Sequence, residues 1–162
     1  MDNDEAQHPV AGQQATEVLD SQECWSLLRT VSVGRLAVWL GDHPDIFPIN
    51  YAVDQGTVVF RTGSGTKLEA ALSDFPVAME VDGVDANTGV AWSVVLRGKA
   101  APVTQIDDVV KSFSLPLFPW EAGRKDHFVR IPADSISGRR FTVTEPLTWW
   151  TPYSGVKPSA ME

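Results

Sequence analysis

Cysteine, histidine, long apolar runs and positive charge are all scarce in this chain, and each scarcity removes a class of protein. Cys24 is the one cysteine, so an intrachain disulfide and a four-cysteine zinc site are both excluded. His8, His43 and His127 fall in a polar tail, a turn and a predicted strand start, without metal-ligand spacing. No apolar stretch approaches the roughly 18 residues of a membrane span. The first five residues, Met1-Asp2-Asn3-Asp4-Glu5, are acidic where a signal peptide is basic. Thirteen Lys and Arg stand against 21 Asp and Glu, for a net charge of -8, with no basic cluster to follow a nucleic-acid backbone. These absences predict a cytoplasmic protein without metal, nucleic acid or membrane as partner.

What is present is a chain of 162 residues, 43% hydrophobic, long enough for one domain with its own core. Residues 1–17 read as a disordered polar tail, 18–144 as the folded domain, and 145–162 as an extension. In that extension Trp149, Trp150 and Tyr153 pack on the domain or on a partner. Asp20 and Glu23 have capping-box spacing before a helix over about 21–30, and Cys24 on its apolar face reads as a small buried hydrophobe. From Gly34 onward, strands over 35–40, 46–53 and 57–62 are divided by Gly41-Asp42-His43-Pro44 and Asp54-Gln55-Gly56 turns. Further strands are predicted over 77–81, 90–101, 128–131 and 136–143, with a helix over 106–113. Pro48 lacks an N–H, which predicts a break or edge there and open backbone near Asn50 and Tyr51. The fold class is mainly β with short helices: six or seven antiparallel strands closing into a barrel or split barrel.

One local stretch carries chemistry. Phe60-Arg61-Thr62-Gly63-Ser64-Gly65-Thr66-Lys67-Leu68-Glu69 joins a strand to a helix through a glycine-rich turn. Thr66 and Glu69 have capping-box spacing, so the helix is expected to begin at Thr66. Helix-start N–H groups, hydroxyls, Arg61 and Lys67 there form a cradle for an anion such as phosphate, although a plain polar turn has the same composition. The spacing is not that of a Walker A loop.

Several segments in order resemble one family. Gly34-Arg35-Leu36, Pro48-Ile49-Asn50-Tyr51, Phe60-Arg61-Thr62 with Gly65-Thr66-Lys67-Leu68, Trp92-Ser93-Val94 with Gly98-Lys99-Ala100, and Gly138-Arg139-Arg140 are together similar to the pyridoxamine-phosphate-oxidase-like flavin-binding split barrels, in their small actinobacterial branch. The resemblance implies a six-stranded antiparallel split β-barrel, a homodimer, and FMN in grooves at the subunit interface. It implies that Lys67 and Thr66 meet the FMN phosphate beside Arg61 and Thr62. Asn50 and Tyr51 would lie along the flavin ring, Trp92 and Ser93 would reach it, and Trp120 and Arg139 would come from the second subunit. The expected activity is an FMN-dependent oxidoreductase, passing electrons from a reduced nicotinamide to a small acceptor. The alternatives are a non-catalytic flavin-storing, flavin-sensing or haem-binding module and a deazaflavin-dependent reductase. No catalytic acid or base is nominated. True pyridoxamine phosphate oxidases carry an additional Arg and Lys on the strand that here reads Ile46-Phe47-Pro48-Ile49-Asn50-Tyr51, and end in Arg-Leu-x-Pro. This chain has neither, so vitamin oxidation is not expected of it.

Overall fold

A computed structural model describes residues 16–105, 108, 111, 114–117 and 126–143. Nine antiparallel strands and two short helices make up the described fold: β1 (Glu17–Leu19), α1 (Ser21–Leu28), β2 (Val33–Leu40), β3 (His43–Asp54), β4 (Thr57–Thr62), α2 (Thr66–Ala71), β5 (Val77–Asp85), β6 (Val90–Gly98), β7 (Ala101–Pro102), β8 (His127–Pro132) and β9 (Ser135–Thr142). The strand order is β1-β9-β6-β5-β2-β3-β4-β8-β7. The sheet curls into a half-barrel of the split-barrel kind, because β6 and β8, well separated in that order, share one core. Val94 and Leu96 from β6 meet Val129 and Ile131 from β8 there. The Asp134 N–H donates to the Arg97 carbonyl at 2.8 Å and ties these parts of the sheet together.

Nine strands stand where six or seven were expected. The additional ones are β1 and β7, of three and two residues, and neither is long enough to show alternation. They exist through pairing, β1 with β9 and β7 with β8. Glu17, the last residue of the expected tail, opens β1. The predicted helix over 106–113 lies outside the described residues except for Asp108 and Lys111, which are helical. Trp120 and the extension with Trp149, Trp150 and Tyr153 also lie outside them.

The turn between β3 and β4 and the start of α1 do what their sequences ask. Gln55 and Gly56 both take positive φ, 48° and 72°, which makes the two-residue link between β3 and β4 a mirror-image hairpin turn. At the start of α1 the capping box is formed. Asp20 Oδ1 accepts from the Glu23 N–H at 2.8 Å, and Glu23 Oε2 accepts from the Asp20 N–H at 3.1 Å.

Strand β3 positions the rest. Its residues 43–50 pair with β2, and its residues 51–54 pair with β4, with no overlap. The predicted break at Pro48 is therefore a change of partner two residues later. Pro48 itself stays in register opposite Arg35. Nor is the backbone open at Tyr51, whose N–H donates to the Ser32 carbonyl at 3.0 Å. This hand-over is the split in the barrel, with the first half of β3 paired, among the described residues, on one side alone.

Candidate functional site

The glycine-rich turn leads from β4 into α2, which begins at Thr66 as expected, but Thr66 does not cap it. Gly65 is the N-cap, with φ 134° and ψ −168°, and no side chain bonds to the helix start. That conformation belongs to glycine, and it turns the chain so sharply that Thr66 becomes the first helical residue, leaving it exposed. The Thr66–Glu69 capping box is therefore absent. The Glu69 N–H closes the first turn on the Gly65 carbonyl at 3.1 Å, and the N–H groups of Thr66, Lys67 and Leu68 precede that turn.

Two cations flank the turn, each fixed by an aromatic ring. Lys67 Nζ lies 5.2 Å from the centre of the Phe47 ring. The Arg61 guanidinium lies 5.4 Å from that of Phe128, its cross-strand partner on β8. Thr62 is buried, and its hydroxyl donates to the Gly63 carbonyl at 3.3 Å. Ser64 Oγ stands 3.1 Å from Nε2 of His127, the first residue of β8. Sequence reasoning assigned His127 nothing. Its nearness comes from the pairing of Thr62 with His127, which no local signal announces.

A groove of about 1060 Å³ is lined among others by Val33, Arg35, Pro48, Tyr51, Asp82 and Pro116, and by none of the residues of the Arg61–Lys67 turn. Arg35 is one of its lining residues and donates through one nitrogen to Glu80 and Asp82, both at 2.7 Å. Those two carboxylates raise the guanidinium pKa, Asp82 most. The outward face continues from there by register: Asp82 stands opposite Ser93, and Ser93 opposite the exposed Arg139. Ser93 and Arg139 thus extend a polar strip away from the groove.

The remaining candidates divide by face. Trp92 neighbours Ser93 in β6 and so points to the other side of the sheet, onto the core cluster. Its indole covers Gly83 so closely that a Cβ added there would stand 2.7 Å from the ring. Tyr51 is buried, and its hydroxyl donates to the Leu28 carbonyl at 2.7 Å. Burial pushes its phenol well above the ordinary value. Asn50 is half-buried at the hand-over in β3. The turn thus carries Arg61, Thr62, Thr66 and Lys67 in sequence, with Arg61 and the buried Thr62 on opposite faces of β4, while Ser93 and Arg139 lie on a second strip and Trp92 and Tyr51 are set into the core.

A glycine-capped helix start, a lysine, an arginine and a hydroxyl fit a phosphoester, and the groove lined by Arg35, Tyr51 and Asp82 has the volume of a cofactor site. The pyridoxamine 5'-phosphate oxidase family profile matches residues 20–140, which hold both features. The chain belongs to the pyridoxamine 5'-phosphate oxidase family. Within that family, the chain is similar to a solved FAD-binding protein from Mycobacterium smegmatis, at 37% identity and a TM-score of 0.68, over 80% of this chain and 99% of that one. A Corynebacterium glutamicum structure assigned provisionally to pyridoxamine 5'-phosphate oxidase gives 39% identity and a TM-score of 0.72, over 80% of this chain and all of the other. An uncharacterized Mycobacterium tuberculosis protein is 33% identical over 135 residues, 79% of this chain and 88% of its own length. Among the described residues no helix is long and apolar enough to cross a membrane.

Proposed function

We propose that this member of the pyridoxamine 5'-phosphate oxidase family binds FMN and works as a homodimeric oxidoreductase, moving electrons from a reduced nicotinamide to a small acceptor such as a quinone or a nitro compound. The observation that carries the reading is the turn at Gly63–Lys67, where a helix start without a side-chain cap meets Lys67 and Arg61. Bound flavin supplies hydride and single-electron chemistry of its own. The chain's part is to hold and shield it. Lys67 and Arg61 set positive charge around the turn, and their contacts with Phe47 and Phe128 restrict where the charge sits. A side chain at position 65 is unwelcome because of the backbone angle, which keeps the approach to the helix N–H groups open. Arg35, paired with Glu80 and Asp82, gives the groove lining a polar group beside the apolar Val33 and Pro48.

FAD is the second reading, favoured by the Mycobacterium smegmatis relative described as FAD-binding. Mass spectrometry of the ligand released from purified protein distinguishes FMN from FAD, a deazaflavin and haem. Titration calorimetry then tests the turn. Lys67→Ala is expected to weaken FMN binding by about 1.5 to 3 kcal/mol, tenfold or more, and to leave riboflavin affinity nearly unchanged. Equal FMN affinities of wild type and variant would sink the phosphate assignment. Consumption of NADH by the flavin-loaded protein, with and without an acceptor, separates an enzyme from a flavin carrier.

A further inference from the structure

We infer that His127 is a positioning residue for the cofactor phosphate, acting through Ser64. The inference rests on the phosphate reading of the Gly63–Lys67 turn and adds to it a residue from a strand distant in sequence. His127 Nε2 and Ser64 Oγ are 3.1 Å apart, within hydrogen-bond range, and both side chains face solvent at the turn.

The chemistry of that pair is directional. An imidazole nitrogen either accepts or donates, and a serine hydroxyl has one proton to give. If Nε2 accepts, Ser64 spends its proton on His127 and presents only lone pairs to the turn, which repel an anion. If Nε2 carries a proton, it donates to Ser64 Oγ, and the serine proton is left to point at a phosphate oxygen. A dianion in the turn therefore selects the second arrangement, a chain running from Nε2–H to Oγ and from Oγ–H to phosphate. An imidazole protonated at both nitrogens satisfies it as well and adds charge. Asp126 precedes His127 in sequence, and Arg61, one position along in the β4–β8 register, turns its guanidinium to the other face, over the Phe128 ring. The glycines on either side of Ser64 leave its hydroxyl as the one side-chain donor between Thr62 and Thr66.

Calorimetry with FMN and with riboflavin, on wild type, Ser64→Ala, His127→Ala, the double variant and His127→Gln, tests the inference. FMN affinity is expected to fall about five- to tenfold in each alanine variant, as for loss of one hydrogen bond to a charged group. The double variant falls no further than Ser64→Ala, because the two residues act in series. His127→Gln, whose amide also donates, recovers most of the loss, and riboflavin affinity stays level throughout. Nitrogen NMR of His127 is expected to show Nε2 protonated with FMN bound. Unchanged FMN affinity in His127→Ala, an equal fall for riboflavin, or an unprotonated Nε2 with FMN bound would overturn the role of His127. If wild type prefers FMN to riboflavin and Lys67→Ala loses that preference while His127→Ala keeps it, the phosphate reading stands and this inference fails. If wild type binds both flavins equally, both fail together.

Discussion

At the scale of single residues, the same side-chain types serve as core or as site according to the face they occupy. Tyr51 belongs to the core by burial and by its bond to the Leu28 carbonyl, at the end of α1 where helical carbonyls lose their internal partners. Tyr51→Phe is therefore expected to cost about 1 to 2 kcal/mol, since it leaves a buried acceptor unpaired. The alkaline limb supplies the sign. Burial raises the phenol above its ordinary value of 10.0, so ionisation is easier in the unfolded chain. The stabilising contribution is complete below pH 10.0 and is lost as pH rises above it toward the folded-state value. Thermal melting across that range should show a steep alkaline fall in wild type and a shallower one in Tyr51→Phe. Cys24 adds a residual slope from a somewhat lower pH, because burial together with Asp20 and Glu23 raises its thiol. Parallel curves would refute the assignment to Tyr51. The turn proposed as a site was legible as a local feature because its parts, Arg61, Thr66 and Lys67, are neighbours in sequence. Trp92 and Ser93 are neighbours too, yet the pleat sends them to opposite faces, and only the contact of the indole with Gly83 shows which face is which. His127 was not legible, because its place beside Ser64 depends on strand register.

At the scale of elements, β3 shows how an open edge is managed. The Tyr51 N–H bonds toward the β2 side, so alternate residues 49, 47, 45 and 43 do the same, and residues 44, 46, 48 and 50 direct their backbone groups to the open side. Pro44 and Pro48 have no N–H to offer, and that of Ile46 is taken by Asp45 Oδ1 at 2.8 Å. Of the four outward N–H positions only Asn50 keeps its donor without such a device, and it lies at the hand-over. An incoming strand thus finds acceptors and almost no donors, which blocks edge pairing. Pro44→Thr combined with Pro48→Thr is expected to keep the fold at a cost of about 0.4 to 1 kcal/mol per site, from the freer unfolded chain. The restored donors should promote association into larger species, read by light scattering, with the circular dichroism spectrum unchanged. A double variant that assembles no further than wild type would contradict the edge argument. The seven longer strands were legible because alternation and two turn signals frame them. The sheet order was not, since β2 with β5 and β4 with β8 are joined by pairings that span much of the chain. The start of α2 at Thr66 was legible, but its capping box did not form, because that pattern ignores what a glycine at φ 134° does to the entry of the chain.

At the scale of the whole molecule, one outward face of the half-barrel is poorly matched to water. Ile46 is 62% exposed, Phe75 55% and Trp39 41%, and the rings of Trp39 and Phe75 lie 6.3 Å apart between centres. Ala37 lies opposite Ile46, and Pro44 opposite Trp39, in the β2–β3 pairing, so the residues between them are small or apolar as well. Such a patch beside a groove that is open on one side is what a two-fold dimer interface would cover, each subunit supplying the missing wall of the other's groove. A stable interface needs roughly 800 Å² from each partner, more than a few scattered apolar residues provide and within reach of a full sheet face. Light scattering of wild type is accordingly expected to give twice the 17.7 kDa chain mass. Ile46→Glu with Trp39→Glu places two carboxylates against their own copies across the axis and should yield the single-chain mass. Neither residue belongs to the hydrophobic core, so circular dichroism should remain that of the folded chain. The flavin then provides the decisive readout. If the groove is completed by the partner, the monomeric variant should lose affinity for riboflavin and for FMN alike, because the ring is what the second wall shields. Lys67→Ala, by contrast, should affect FMN alone. A wild-type protein that is monomeric and still binds FMN tightly, or a monomeric variant that binds riboflavin as wild type does, would show that one subunit is sufficient to form the ring site.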